Sequence, residues 1–135
     1  MSNKLEQELQ AAITSVPECV ATGYVDLSTG MLLAVRTVDS HPQEVLEMLA
    51  AATADMFQGP NVVAIENMFK KSRGVEDNSH YFKEMIVNSD NLLHIFIRGK
   101  QYPEHVVGFV CRNSANLGMA LTKARASMPA LEGAV

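Results

Sequence analysis

At 135 residues, with a formal charge of −4 and a mean hydropathy of +0.04, the chain is long enough for one domain with a core of its own, without disulfide or metal staples. The acidic balance argues against a broad electrostatic grip on nucleic acid or on an anionic membrane surface. The apolar runs at 92–97 and 106–111 fall far short of the roughly 20 residues that span a bilayer. Two cysteines, and an N-terminus that sets Lys4, Glu6 and Glu8 in an amphipathic pattern unlike a signal peptide, predict free thiols and a cytoplasmic location.

Ser2 or Asn3 can cap a first helix carrying Leu5, Leu9, Ala12, Ile13 and Val16 at helical spacing; Asn3 followed by Glu6 is a capping-box variant. Pro17 ends it. Residues 18–27 read as a strand with Cys19, Ala21, Gly23 and Val25 on one face and Val20, Thr22, Tyr24 and Asp26 on the other. Ser28-Thr29-Gly30 turns the chain, and residues 31–38 return, with Arg36 and Thr37 placing that strand near an edge.

A second helix is expected from Ser40, with Pro42 in its first turn and Gln43 completing a capping box. Val45, Leu49, Ala52 and Met56 form its main stripe, with Leu46, Met48 and Phe57 alongside, a wide apolar surface for a helix covering one sheet face. Gly59-Pro60 stops or kinks it. Val62, Ile65, Met68 and Phe69 then repeat the helical spacing, giving an extra helical segment around 60–73 that ends in Lys70-Lys71-Ser72-Arg73-Gly74, a basic terminus with a glycine cap. A polar loop at 75–79 precedes a strand at 80–87, with Phe82 and Ile86 on one face and Tyr81, Met85 and Val87 on the other. Asn88-Ser89-Asp90-Asn91 is a turn.

Leu93, Ile95 and Ile97 share one face of the next strand, Leu92 and Phe96 the other, and residues 106–111 are again apolar at both parities. A strand with one solvated face alternates, so these two are expected to be central and covered on both sides. Gly99 and Pro103 sit in the hairpin between them. Ser114 or Asn116 starts the last helix, whose Leu117, Met119, Ala120, Leu121 and Ala124 form a stripe, with Lys123 and Arg125 in its last turns. Residues 129–135 are expected to be a loose, flexible tail. The order α-β-β-α-(α)-β-β-β-α means a single α+β domain over 1–135: a five-stranded antiparallel sheet with helices on both faces.

Two stretches carry a resemblance. Thr22-Gly23-Tyr24-Val25-Asp26-Leu27-Ser28-Thr29-Gly30-Met31-Leu32-Leu33-Ala34 is similar to the first hairpin of the roadblock (dynein light-chain) family, and Ser114-Ala115-Asn116-Leu117-Gly118-Met119-Ala120-Leu121 is similar to the family's Asn-Leu-Gly helix start. With the element order, the chain resembles the bacterial single-domain members. That resemblance implies a profilin-like fold and a homodimer built from the second helix and third strand. It places the interface on Val45, Met48, Leu49, Ala52, Met56, Phe82 and Ile86. It also implies a non-catalytic adaptor, scaffold or regulator of a Ras-like GTPase or a larger assembly, with Glu44, Glu47 and Asp55 as the partner-docking edge. The segment between Gly59 and Gly74 departs from the family, where a short connection is usual, and lies beside the expected dimer surface.

The chemistry-bearing residues predict no catalysis, no cofactor and no metal. His41, His80, His94 and His105 make no i, i+4 or His-x-His pair. His94 is expected opposite Met85, in a structural or partly buried role or as a pH-sensitive contact, and His41 in the first turn of the second helix. Cys19 and Cys111 read as small core residues; in the family's sheet order their strands are neighbours, so the thiols could approach one another. The glycines form no phosphate loop. The basic run at 70–73 reads as a solvated helix end or a phosphate or lipid site, and Glu44, Glu47, Asp55 and Glu66 as an exposed edge of the helix pair or a docking surface. The chain offers no arginine finger beyond the candidates Arg36, Arg73 and Arg98. The alternative function is a small-molecule sensory module of PAS-like architecture, which an apolar pocket with a few convergent polar groups would favour.

Overall fold

The computed structural model describes residues 3–77 and 79–135. Ser2, the alternative first cap, and Asn78 in the 75–79 loop lie outside the described residues. The elements run α1 (Lys4–Ser15), β1 (Cys19–Asp26), β2 (Met31–Thr37), α2 (Gln43–Gln58), α3 (Pro60–Ser72), β3 (Glu84–Asn88), β4 (Leu92–Arg98), β5 (His105–Arg112) and α4 (Leu117–Gly133). The strands form one five-stranded sheet in the order β2-β1-β5-β4-β3, antiparallel at every pairing. This is the expected α+β architecture, with β5 at the centre and β2 at an edge.

Side-chain parity on the central strands distributes two cores. Leu93, Ile95, Ile97, Val107 and Phe109 face α1 and α4, where they meet Leu5, Leu9, Ala120, Ala124 and Leu131. Val106 points the other way and joins Val25, Leu27, Ala50 and Phe57, with Phe96 packed alongside. Full burial of side chains of this size contributes about 1.5–3 kcal/mol each. Both faces of β4 and β5 are therefore apolar because both are covered. Buried Thr22 fits the first core because its hydroxyl donates to the Leu9 carbonyl at 2.9 Å, leaving no unpaired donor. The β1–β2 turn needs Gly30, at φ 72°, and the Asp26 carboxylate braces it by accepting from the Ser28 amide at 3.0 Å.

Local signals hold at several ends. The Asn3 side chain accepts from the Glu6 amide at 2.8 Å, but the Glu6 carboxylate pairs with Arg36 at 3.4 Å. Of the two candidate starts for α4, Asn116 is the cap, accepting from the Met119 amide at 3.0 Å. The end of α3 is a Schellman motif: Val75 N–H donates to Lys70 O at 2.9 Å and Gly74 N–H to Lys71 O at 3.2 Å, with Gly74 at φ 69°.

Five expectations are corrected. First, α2 begins at Gln43, not Ser40: Pro42 takes the cap position without a side-chain cap, and no Ser40–Gln43 box forms. A residue before proline is pushed out of the helical region, so His41 cannot open the helix and precedes it. Second, the register shifts between Cys19 and Ala21 opposite β5, so Cys19 joins the α1/α4 core with Tyr24 rather than the face of Ala21 and Val25. Third, His94 sits opposite Val87, and Met85 opposite Phe96, because Ser89 N–H closes the turn on Leu92 O at 2.9 Å. Fourth, β3 covers Glu84–Asn88, not 80–87, since the backbone at 81–82 is engaged by side chains rather than by a neighbouring strand. Fifth, the tail is not loose: α4 runs through Pro129 to Gly133, with Leu131 and Glu132 buried. Lys123 and Arg125 therefore lie mid-helix, and Leu117 and Met119 at its start are exposed. Glu132 accepts from the Lys100 amide at 3.1 Å and the Tyr102 amide at 2.7 Å, so the helix end caps the β4–β5 loop. Gly99 makes this approach possible, because a Cβ there would stand 2.6 Å from the Glu132 carboxylate.

Candidate protein-interaction surface

Helix α2 has two apolar stripes and buries the one that sequence spacing ranks second. Ala50, Thr53 and Phe57 face the sheet, with Leu46 half-buried, while Val45, Met48, Leu49 and Ala52 point to solvent. The two stripes are offset by one residue, about 100° around the helix. Phe57 selects between them: it packs edge-on against Phe96 at 6.4 Å and anchors the second core. The Thr53 hydroxyl is satisfied at 2.8 Å by the Leu49 carbonyl one turn back. Met48 is left 73% exposed and Leu49 56%. Of the other residues expected at an interface, Met56 and Phe82 are half-buried and Ile86 is exposed on the edge strand β3. Glu44, Glu47 and Asp55 are exposed on α2.

Helix α3 confirms the extra helical segment but turns its apolar residues outward. Val63, Ile65, Met68 and Phe69 are exposed, and among the described residues its buried member is Glu66, at 3% exposure. Glu66 is thus not part of an exposed acidic edge. Its carboxylate accepts from the Tyr81 amide at 2.5 Å and the Phe82 amide at 3.3 Å, and faces His80 Nδ1 at 3.4 Å. Burial pushes this carboxyl up, but the two amides and His80 outweigh it and hold it below the usual glutamate value. His80 Nε2 lies 2.6 Å from Glu104. With a carboxylate at each ring nitrogen, both contacts are hydrogen bonds only when the ring carries both protons.

Arg98 completes this network and is removed from the arginine-finger candidates. It is 3% exposed, and its guanidinium donates to Phe82 O at 2.9 Å, Pro103 O at 2.7 Å and Phe57 O at 3.4 Å. Its charge also lies 5.2 Å from the centre of the Phe57 ring. Burial lowers its pKa from the ordinary value, with Glu66 and Glu104 opposing. Sequence reading missed the Glu66–Arg98 network because the partners are mostly backbone groups supplied by residues 57, 81, 82 and 103. The visible signals were a charge within the apolar run of α3 and an arginine ending an apolar strand. On the outer side, Phe69 and Tyr81 rings pack at 4.7 Å and Arg73 stacks over Tyr81 at 5.2 Å.

A cavity of about 260 Å³ lies between the N-terminal half of α2 and the sheet, walled by Leu46, Ala50, Val20, Val35 and Val110, with exposed Val45 and Leu49 at its rim. His41, Asp39 and His94 also contribute to its lining. The His94 ring stacks on Phe96 at 6.2 Å, its Nε2 is 3.3 Å from the Ser89 hydroxyl, and burial pulls its pKa down.

The sequence matches no family model and no curated protein. Solved structures do match across nearly the whole chain. MglB of Myxococcus xanthus is similar at 15% identity, with 96% of this chain and 93% of that one covered and a TM-score of 0.70. A Roadblock/LC7 domain from Streptomyces avermitilis is similar at 11% identity, covering 98% and 97%, with a TM-score of 0.70. The gliding protein MglB from Thermus thermophilus is similar at 17% identity, covering 95% and 85%, with a TM-score of 0.69. At these identities the likeness concerns the fold: the chain has the roadblock/LC7 fold.

Proposed function

We propose that this roadblock-fold chain is a homodimeric, non-catalytic adaptor or regulator, with a Ras-like small GTPase as its partner. The observation that carries the reading is the outward stripe of α2. Large apolar side chains at Val45, Met48 and Leu49 stand exposed on a helix whose other side is already packed, and such surfaces on soluble chains mark interfaces. The edge of β3, exposing Ile86 and Val87, offers unpaired backbone to a second copy. A two-fold axis through these elements would use the same surface on both protomers. The acidic residues Glu44, Glu47 and Asp55 then border the paired helices and recruit the GTPase. Any effect on hydrolysis comes from steadying the partner's own switch loops.

The test measures binding of Ras-like GTPases encoded beside this gene, loaded with a GTP analogue or GDP. The expected result is a preference for one nucleotide state. Reversing Glu44, Glu47 and Asp55 to lysine should slow association more in low salt than in high, as rim charges act on encounter. Equal or absent binding in both states removes the GTPase reading and leaves the adaptor fold.

One observation favours a second reading as a small-molecule sensory module. The cavity beside α2 is apolar-walled, with His41, Asp39 and His94 at hand for orientation. A hydrophobic ligand co-purifying in native mass spectrometry, and lost in Leu46→Trp, would support it.

A further inference from the structure

We propose that Cys19 and Cys111 form a redox modification site, closing to a reversible cross-strand disulfide under hydrogen peroxide. The two residues are direct partners in the β1–β5 ladder. The neighbouring pair settles their kind: Arg112 N–H donates to Glu18 O at 2.9 Å, so Glu18 and Arg112 are a hydrogen-bonded pair and Cys19–Cys111 a non-hydrogen-bonded one. Cα atoms in such pairs stand about 4.5 Å apart, inside the range of roughly 4.4–6.8 Å that disulfides span. Both side chains enter the same α1/α4 core, so the Cβ vectors point the same way. Both thiols are free.

Their environment assigns roles. The Cys19 thiol faces Cys111; that contact, together with burial, pushes Cys19 up, and the same contact pulls Cys111 down against burial and the Glu18 charge. The Cys19 thiol also donates to the Ala21 carbonyl at 3.4 Å, so Cys19 holds its proton as the resolving thiol and Cys111 is the sulfur that gives its proton up. Access comes at the strand end: Cys19 opens β1, directly after Glu18, whose φ of 57° is strained for a side-chain-bearing residue. Both sulfurs are closed in the folded chain, Cys19 at 7% and Cys111 at 0% exposure, so oxidation requires that corner to open.

The Cys111 thiolate attacks one peroxide oxygen and the O–O bond breaks; the departing hydroxide takes up the proton Cys111 had lost and becomes water. Cys19 then attacks the Cys111 sulfenic sulfur, the S–O bond breaks, and the second hydroxide leaves as water with the proton of Cys19. Two thiols lose two electrons in all, and the peroxide is reduced to two waters.

The test exposes the reduced wild-type chain to stoichiometric hydrogen peroxide. Expected are a mass lower by two hydrogens, a single cross-linked peptide pair joining Cys19 to Cys111, and no titratable thiol after unfolding. The thermal midpoint should rise, and dithiothreitol should restore mass, thiols and midpoint. In Cys19→Ser, dimedone should trap a sulfenic acid on Cys111, while Cys111→Ser should consume peroxide at least tenfold more slowly. Unreacted thiols, irreversible oxidation of either sulfur, or a disulfide between chains on a non-reducing gel would each overturn the proposal. If either variant fails to fold, the wild-type peptide map decides alone.

Discussion

Glu66 is a charged side chain that holds shape from inside. It satisfies two backbone amides that no strand reaches, and together with Arg98 it fixes how the chain passes from α3 into β3. Glu66→Gln replaces a charge-assisted acceptor by a neutral one and leaves His80 Nδ1 without a facing charge, Glu104 remaining at Nε2. It should cost about 1–3 kcal/mol in urea denaturation at neutral pH. Because the folded carboxyl lies below its ordinary value, that advantage is fully present above the unfolded glutamate value of about 4.3 and is lost as pH falls through the lower folded one. The wild-type and variant curves should therefore converge in acid. A constant gap from pH 7 to 3 would show that the contribution is packing and not charge.

Among the elements, α4 illustrates how a helix end is recruited. Pro129 costs a backbone hydrogen bond and marks a natural stop, yet the helix continues because Leu131 reaches the core and Glu132 caps the β4–β5 loop. Leu131→Ala should destabilise the fold by about 2–4 kcal/mol. Glu132→Ala should speed hydrogen exchange specifically at the Lys100 and Tyr102 amides. A flexible tail would leave both measurements at the wild-type value.

On the scale of the molecule, the two faces of the sheet are covered unequally. Helices α1 and α4 close one face; α2 covers the other by a single stripe and leaves a cavity and an exposed apolar side. Leu49 and Ala50 separate the outcomes. Leu49→Arg puts a charge on the outer side, so light scattering should report monomers while circular dichroism and thermal midpoint stay near wild type. Ala50→Arg drives a charge into the second core and should unfold the chain. A wild-type chain that is monomeric at micromolar concentration would sink the dimer.

The order of elements, the two apolar faces of β4 and β5, the glycine-capped end of α3 and, down to two candidates each, the caps of α1 and α4 were all legible in sequence. They depend on periodicity and on hydrogen bonds between residues a few positions apart. The candidate surface was legible only as composition: the spacing in α2 ranks first the stripe that ends up outside, and Phe57 against Phe96 decides which one turns inward. The same holds for buried Glu66 and Arg98, for the late start of β3 and for the packed helix end at Leu131. Each is stabilised by partners distant in the chain, and the cost of burying a charge, breaking a ladder or extending past a proline is offset only once those partners are in place.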